Sequence, residues 1–274
     1  MGADNQQDTL NYFSGFIAGE SSISLIKATN KRGGTGFYFT PDLTVSNSDL
    51  SILKEINRVV ANEGGVISSI KGGYNLSIRG KVRVKTVLNF LDKYPLIAGD
   101  LAREKIEILK SAILTLSEKQ GKGIRLVGEI SKIEKLRGRL KEIKESAKAE
   151  KHLPDVRASQ KGIGSYLAGI VDAEGSMGLR KCGKRSQPYF CVLMREEAII
   201  DLFLKYFGFG NKYYRPKEKL FHFETAKTAN VLRLCEFFLD NCPVRLDKNI
   251  QRLRNLQRIL NDYTLGPRRN GVMI

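Results

Sequence analysis

Two glutamates at matching positions of a repeated segment are the residues best placed to do chemistry. Residues 12–22 read YFSGFIAGESS and residues 166–176 read YLAGIVDAEGS, so Glu20 aligns with Glu174 without a gap. Each acid would close a helix, where the dipole disfavours negative charge, and paired helices would set the carboxylates side by side. A divalent cation such as Mg²⁺, with phosphate oxygens as further ligands, would relieve this repulsion. The spacing therefore predicts a metal site that polarises a phosphate and activates water.

Small residues in the same two segments indicate why the helices would pair. Gly15 and Gly19 lie four residues apart, as do Gly169 and Ala173, so each pair shares one helix face. Small side chains at this spacing let two helix backbones approach closely. Because Gly19 and Ala173 directly precede the two acids, we include both in the predicted metal site.

The segments that follow each copy run in parallel and must position the acids. Each contains an alternating stretch around a proline (Pro41, Pro188), a helical pattern, a glycine turn, a second alternating stretch and a closing helix. That helix ends in LDKYP at residues 91–95 and in LDNCP at 239–243. Alternation at residues 74–79 predicts a strand with one apolar and one polar face. The pattern predicts two α+β halves, each an antiparallel sheet with helices on its apolar face.

A long charged segment separates the two halves. We predict an N-terminal half over residues 1–116, a helical linker over 117–161 and a C-terminal half over 162–274. Apolar residues recur every three or four positions from residue 124 to 143, as expected for an amphipathic helix. Its many charges favour a solvated face over a nucleic-acid contact. Residues 146–165 are the expected flexible part.

The composition points to a folded protein with an acidic partner. With 46 Lys and Arg against 29 Asp and Glu, the net charge is +17, which attracts phosphate backbones. Hydrophobic residues make up 42% of the chain, enough for a core, and no apolar run is long enough to span a membrane. The four cysteines match no zinc pattern, so we expect reduced thiols. Such charge also fits ribosomal or membrane-surface proteins.

The repeated segments resemble the signature motifs of the double-motif, single-chain LAGLIDADG homing endonucleases. Residues 167–175 read LAGIVDAEG, nearly the signature itself, whereas the first copy departs at Ser14, Ala18 and Ser21. The resemblance implies two pseudo-twofold-related αββαββα halves whose saddle-shaped antiparallel sheets lie along the DNA major groove. It further implies hydrolysis of both strands of a long target, short 3′ overhangs, and a gene housed in a group I intron.

The same resemblance assigns the metal and the catalytic acids. The last acid of each motif becomes Glu20 or Glu174, the metal-binding and catalytic pair. Mg²⁺ is the expected cofactor, with Ca²⁺ supporting binding without cleavage and Mn²⁺ able to replace Mg²⁺. Glutamate at both positions, where many relatives have aspartate, keeps the charge and adds one methylene.

Two further catalytic positions carry over to one half only. The family's polar residue at the end of the second strand matches Asn47, but its counterpart is Met194, which cannot order water. The family's basic residue matches Lys248, whereas the equivalent place in the first half is Asp100. The basic residues that could replace it are Arg103 and Lys105. We therefore expect an asymmetric site that leaves equal cutting of both strands in doubt.

The polar faces of the two sheets are the predicted DNA-binding surface. Arg and Lys can bond guanine edges and Asn or Gln adenine edges, while Ser and Thr mostly position the duplex. The first half is predicted to contribute Ser22, Ser24, Ile26, Ala28, Asn30, Tyr38, Thr40, Asp42, Thr44, Asn75, Ser77, Arg79 and Lys81. The second half is predicted to contribute Ser176, Arg180, Lys184, Arg185, Gln187, Tyr189, Lys212, Arg215, Lys217 and His222.

Alternative functions on the same scaffold remain open at this stage. No P-loop, G-x-S-x-G or HExxH motif is present, and two His leave little for other hydrolytic chemistry. An intron maturase that binds host intron RNA, or a non-cleaving DNA-binding regulator, would keep the fold and charge. Since one chain holds both motifs, we expect a monomer that binds double-stranded DNA and no membrane. The first twelve residues lack a secretory signal, so we expect an organelle that encodes the gene or a prokaryotic cytoplasm.

Overall fold

The elements of the first half follow the predicted order. The computed structural model describes residues 3–29, 36–117, 127–145, 159–183 and 185–265. From the N-terminus the elements are α1 (Ala3–Glu20), β1 (Ser21–Thr29), β2 (Phe37–Asn47), α2 (Leu50–Val59), β3 (Val66–Ile70), β4 (Gly73–Arg79), α3 (Lys81–Lys93), α4 (Asp100–Ser117) and α5 (Val127–Glu145).

The second half repeats this order. Its elements are α6 (Gln160–Glu174), β5 (Gly175–Cys182), β6 (Arg185–Met194), α7 (Glu197–Phe207), β7 (Asn211–Arg215), β8 (Leu220–Thr225), α8 (Thr228–Glu236), a π-helical segment (Phe237–Asn241) and α9 (Asp247–Leu265). The predicted α+β class is confirmed. Within the described part of the chain, no helix is long and apolar enough to cross a membrane.

Each half builds a four-stranded antiparallel sheet with the same strand order. The orders are β1-β2-β4-β3 and β5-β6-β8-β7, so β1 and β5 are edge strands that follow the motif helices. The strands alternate because every second side chain enters the core. Leu43 and Val45 of β2 are fully buried, and Phe190 and Val192 of β6 match them.

Helices cover one face of each sheet. In the first sheet this cover includes Ile52, Leu53 and Ile56 of α2, all buried. In the second it includes Phe203 of α7, and the Phe190 ring stacks on Phe238 with centroids 5.6 Å apart. We call the opposite, polar face of each sheet its open face.

The chain divides into two compact units that do not follow the repeat boundaries. One comprises residues 20–96 and 100–147, and the other comprises residues 1–19, 97–99 and 148–274. The first motif helix therefore packs in the same unit as the second motif helix. The domain boundaries predicted from the repeat describe a different division and stay a prediction.

The linker region agrees with the prediction in part. The helix α5 lies inside the predicted 117–161 linker, and residues 118–126 of that linker lie outside the described residues. Residues 146–158 also lie outside them. Residues 160–165 were predicted to be flexible, but they form the first turns of α6, where the Ser159 hydroxyl accepts a hydrogen bond from Gly162 N at 2.9 Å. That N-terminal cap explains why the helix begins there.

Candidate metal and nucleic-acid site

The two motif helices pack backbone to backbone through their glycines. A Cβ atom at Gly15 would clash with the carbonyl oxygen of Tyr166, and one at Gly169 would clash with that of Tyr12. Only glycine permits this approach. The predicted pairing of the two helices is therefore present inside one compact unit.

Close packing continues to the end of the helices. A Cβ atom at Gly19 would lie 3.3 Å from Cγ of Glu174 and would clash with the Ala173 side chain. Glu174 is the last residue of α6 and is exposed. Glu20, the next residue after Gly19, is the last residue of α1. Both predicted metal ligands thus stand at helix C-termini, as the sequence indicated.

Asn47 orients the first of these acids. It is the last residue of β2, is 9% exposed, and its Nδ2 donates to Glu20 Oε1 at 3.1 Å. Its Oδ1 in turn accepts from the backbone N–H of Asp49 at 2.9 Å. Because both ends of the amide are engaged, the Glu20 carboxylate is held by a side chain that cannot rotate without losing a hydrogen bond. Met194 occupies the corresponding last position of β6 and is buried.

The donor set suits a hard divalent cation. Carboxylates and backbone carbonyl oxygens are the ligands that Mg²⁺ and Ca²⁺ prefer, and Mg²⁺ commonly keeps only one or two protein carboxylates. Among the described residues, no group of three or more His, Cys, Asp or Glu side chains could hold a metal ion. The metal site at Glu20 and Glu174 therefore stays a prediction.

A buried aspartate connects the second motif to the helix that carries Lys248. Asp172, 2% exposed, accepts hydrogen bonds from the Tyr12 hydroxyl at 2.6 Å and from Leu246 N at 3.1 Å. Its other oxygen accepts from Asn249 Nδ2 at 2.8 Å. Burial raises the pKa of this carboxyl, although these donors oppose the rise. Asp172 thereby anchors the start of α9 to α6.

Sequence reasoning missed Asp172, and one signal could have revealed it. The aligned residue of the first motif is Ala18, so a charge appears on a helix face that is otherwise apolar or small. Such a buried charge requires hydrogen-bond donors. Lys248, the predicted basic residue of the catalytic site, is exposed on the first turn of α9.

The first half has no counterpart of Lys248 at the aligned position. Asp100 lies there, and its Oδ1 forms an ion pair with Arg103 Nη1 at 3.7 Å. Arg103 also donates from Nε to the carbonyl of Leu96 at 3.1 Å. Lys105, the other candidate, is half-buried on α4. Arg103 is thus engaged at its own helix start.

The open face of the first sheet carries the predicted side chains in register. Ser22 pairs with Thr44, Ser24 with Asp42, Ile26 with Thr40 and Ala28 with Tyr38, and on the next strand Thr44 pairs with Ser77 and Ser46 with Asn75. Period-two alternation therefore placed these residues on one face, as predicted. Asn30 lies outside the described residues.

Asp42 organises the polar groups at the centre of this face. It is 6% exposed and accepts from Arg79 Nε at 2.9 Å, Ser77 Oγ at 3.2 Å and Thr44 Oγ1 at 3.1 Å. The ion pair holds the guanidinium of Arg79, which is itself exposed. Asp42 therefore holds the Arg79 side chain in one orientation.

Lys81 does not extend this face, which corrects the prediction. Gly80 has a φ of +98° and separates β4 from α3, so Lys81 is the first residue of a helix. Its Nζ donates to the carbonyl of Leu116 at 2.9 Å. This contact joins α3 to α4.

The open face of the second sheet is centred on Glu224, an acid that pairs with an arginine as Asp42 does. Glu224 accepts an ion pair from Arg180 Nη1 at 2.6 Å and a short hydrogen bond from the Tyr213 hydroxyl. Burial opposes ionisation of Glu224, but these donors outweigh it and lower its pKa. Arg180 also donates to Gln187 Oε1 at 3.3 Å. The remaining predicted residues near this face include Ser176, whose hydroxyl lies 3.3 Å from that of Tyr189, together with Arg185 and Arg215.

His222 lies on the same face but is covered. It is 1% exposed, and the Tyr213 ring stacks on it with centroids 4.8 Å apart and planes 20° apart. Burial and the nearby Arg215 lower the pKa of the imidazole. Among the described residues, its Nε2 has no hydrogen-bond partner. His222 therefore supports Tyr213 from below.

Two other predicted residues lie elsewhere, and a third is not among the described residues. Lys212 was predicted on the open face, but it lies on the opposite side, where Nζ pairs with Glu197 at 2.7 Å and Asp201 at 2.6 Å. Lys217 is exposed in the turn between β7 and β8. Lys184 lies outside the described residues.

Comparison with known proteins was made on this α+β architecture, with its paired glycine-packed helices and two four-stranded sheets. Residues 13–101 match the family model described as LAGLIDADG endonuclease. No curated protein matches the chain significantly.

Solved structures match nearly the whole chain. The LAGLIDADG homing endonuclease I-GzeII in complex with its DNA target is 18% identical and has a TM-score of 0.75, over 93% of this chain and 90% of that one. I-SmaMI bound to uncleaved DNA with calcium ions is 18% identical at a TM-score of 0.73, over 94% of each chain. I-LtrWI bound to target DNA is 14% identical at 0.76, over 95% and 92%. The fold is that of the LAGLIDADG homing endonucleases.

Proposed function

We propose that this protein is a site-specific, divalent-metal-dependent endonuclease that hydrolyses both strands of double-stranded DNA. The observation that carries the proposal is the pair of motif helices, packed through Gly15 and Gly169, each ending in a glutamate. The family-model match over residues 13–101 supports the same function. So does the fold shared with proteins whose structures contain DNA targets.

The proposed chemistry assigns a role to each residue of the site. Glu20 and Glu174, with the backbone of Gly19 and Ala173, would hold Mg²⁺, which when bound polarises a phosphate and activates water. Asn47 keeps the Glu20 carboxylate oriented through its 3.1 Å hydrogen bond. Lys248 would stabilise the negative charge that develops on the phosphate. The asymmetry between Asn47 and Met194 predicts unequal cutting of the two strands.

The open faces would bind the target. Arg79 and Arg180 are held by Asp42 and Glu224, so each presents its guanidinium in one orientation. A preoriented guanidinium can bond the O6 and N7 atoms of guanine. The serines and threonines of the first face would position the duplex.

The wider context belongs to the same proposal. We infer a monomer that carries both motifs, short 3′ overhangs, Ca²⁺ supporting binding without cleavage, and Mn²⁺ able to replace Mg²⁺. A gene in a group I intron, and action in an organelle or a prokaryotic cytoplasm, follow from the family resemblance. Intron RNA as a partner, or binding without cleavage, are the outcomes that would replace this function.

The test is cleavage of a randomised duplex library by wild type, Glu20→Gln and Glu174→Gln, each with Mg²⁺, Ca²⁺ or chelator. We expect cutting at one site with Mg²⁺, loss of cutting in both variants and retained binding in Ca²⁺. Glu236→Gln, on the exposed side of α8, removes the same charge away from the site and should cut normally. Specific binding without cutting under every metal would instead support a non-cleaving binder, and preference for intron RNA would support a maturase.

A further inference from the structure

A basic groove lies along the edge of the first sheet, where it borders the open face. It has a volume of about 360 Å³ and is lined by Ile23–Lys27 of β1 and by one side of α5. On the α5 side the lining includes Arg137, Gly138, Lys141 and Lys144. Four cationic side chains therefore border the groove, and the described residues that line it include no acid.

The helix is fixed against the strand by a specific contact. Lys27 Nζ pairs with Glu134 Oε1 at 2.6 Å, and Glu134 also accepts from Arg137 Nη1 at 3.3 Å. Ile133 and Leu140 of α5 are buried beneath these charges. These contacts hold the strand β1 and the helix α5 in fixed positions on the two sides of the groove.

The groove is continuous with the open face. Ser24 and Ile26 line it and also belong to the set of side chains that faces away from the core. Since β1 is an edge strand, a duplex lying on the open face would bring a phosphate backbone to this border. Space is available, because a Cβ atom at Gly138 would have no neighbour within 4 Å.

We propose that the linker helix α5 is a DNA-contacting element that binds duplex phosphates through Arg137, Lys141 and Lys144. The inference rests on the proposed DNA-binding function and extends it, because α5 belongs to neither sheet. It also reverses the expectation from the sequence, which favoured a merely solvated helix. Phosphate contacts carry no base information, so this groove adds affinity and leaves sequence preference unchanged.

Matched charge variants on one helix test the proposal. Lys141→Gln/Lys144→Gln removes two charges from the groove side, and Lys132→Gln/Lys135→Gln removes two exposed charges from the helix positions pointing away from it. Binding to a random-sequence 40-base-pair duplex would be followed by fluorescence anisotropy at several salt concentrations. We expect the slope of log affinity against log salt to fall in magnitude by roughly 1 to 2 for the groove pair, and hardly at all for the control.

A second pair of variants tests the groove without removing a contact. Gly138→Glu places an acid where the structure has room, and Gly138→Gln adds the same bulk without charge. We expect weaker duplex binding, about tenfold, only for the glutamate variant, while the ratio of target to random binding stays at the wild-type value.

The outcomes separate the two proposals. Equal slopes for both lysine pairs, or equal binding by the two Gly138 variants, would refute the groove while leaving cleavage intact. Binding without cutting by wild type would refute the nuclease, and the slopes would still decide the groove. Failure of wild type to bind any duplex at low salt would refute both.

Discussion

At the scale of single residues, activity should depend on the side chains that hydrogen-bond to the candidate ligands as well as on the ligands themselves. Asn47 is the clearest case, because one amide group both caps the backbone at Asp49 and holds Glu20. Replacing Asn47 by Ala would remove this hydrogen bond to the Glu20 carboxylate without changing the charge of Glu20. Loss of a residue that orients a metal ligand through a hydrogen bond typically lowers activity by about 10- to 100-fold.

We therefore expect Asn47→Ala to lower the single-turnover cleavage rate by about 10- to 100-fold, with DNA affinity in Ca²⁺ close to wild type. Rates measured against Mg²⁺ concentration would show whether extra metal restores part of the loss. A rate equal to that of wild type would remove Asn47 from the site. Met194→Asn is the companion variant at the aligned position. Combined with Asn47→Ala, it should not restore the cleavage activity that Asn47→Ala loses.

His222 gives a residue-scale prediction about pH. Its folded-state pKa is lowered from 6.5 by burial and by Arg215, with Glu218 and Glu224 opposing and Tyr213 stacked on the ring. As the pH falls through 6.5, the unfolded chain takes up a proton that the folded protein resists. This part of the stability is present above the unfolded pKa and is lost as the pH falls towards the folded pKa.

His222→Phe should keep the ring stack and remove this titration. We expect the free energy of unfolding, measured by urea denaturation from pH 8 to pH 5, to fall less steeply in the variant than in wild type. An identical pH profile for the two proteins would mean that His222 titrates alike in the folded and unfolded states.

At the scale of elements, the helix pair is the part of the fold least tolerant of change. Gly169→Ala would drive a methyl group into the backbone of α1 near Tyr12, and overpacking of this kind costs about 1 to 3 kcal/mol. Gly138→Ala, on an exposed helix with space around it, should instead stabilise by about 0.5 to 1 kcal/mol. Thermal and urea unfolding of the two variants should shift in opposite directions. Equal shifts would contradict the close approach of α1 and α6.

The element scale also explains which predictions the sequence could support. Alternation placed Ser22 to Ala28 correctly, because a strand's period of two is local. The same rule could have excluded Lys212, which is three residues from Arg215 and so cannot share its face. Residues 101–116 and 253–260 hold regular leucines and isoleucines that could have predicted α4 and α9. The sequence could have drawn attention to Asp172 itself but not to its hydrogen-bond partners, because these lie more than 70 positions away in the chain.

At the scale of the whole molecule, the charge of +17 is spread over surfaces that differ in purpose. Some cations already form ion pairs with acids of the protein, as Lys212 does with two of them. Others, such as Arg79 and Arg180, are paired with an acid yet remain exposed enough to meet DNA. Since the net charge already subtracts these acids, it does not give the number of phosphates that the protein can neutralise.

The number of phosphates that the protein neutralises determines how steeply its affinity for DNA falls with salt. If about six phosphates are neutralised, affinity for the target should fall roughly 10³-fold between about 50 and 200 mM salt. Arg215→Gln should lower the slope by about one if Arg215 contacts a phosphate. Lys212→Gln, which removes the same charge on the side facing α7, should leave the slope unchanged. A flat dependence for wild type would contradict binding through the open faces, and equal effects of the two variants would mean that net charge alone governs affinity.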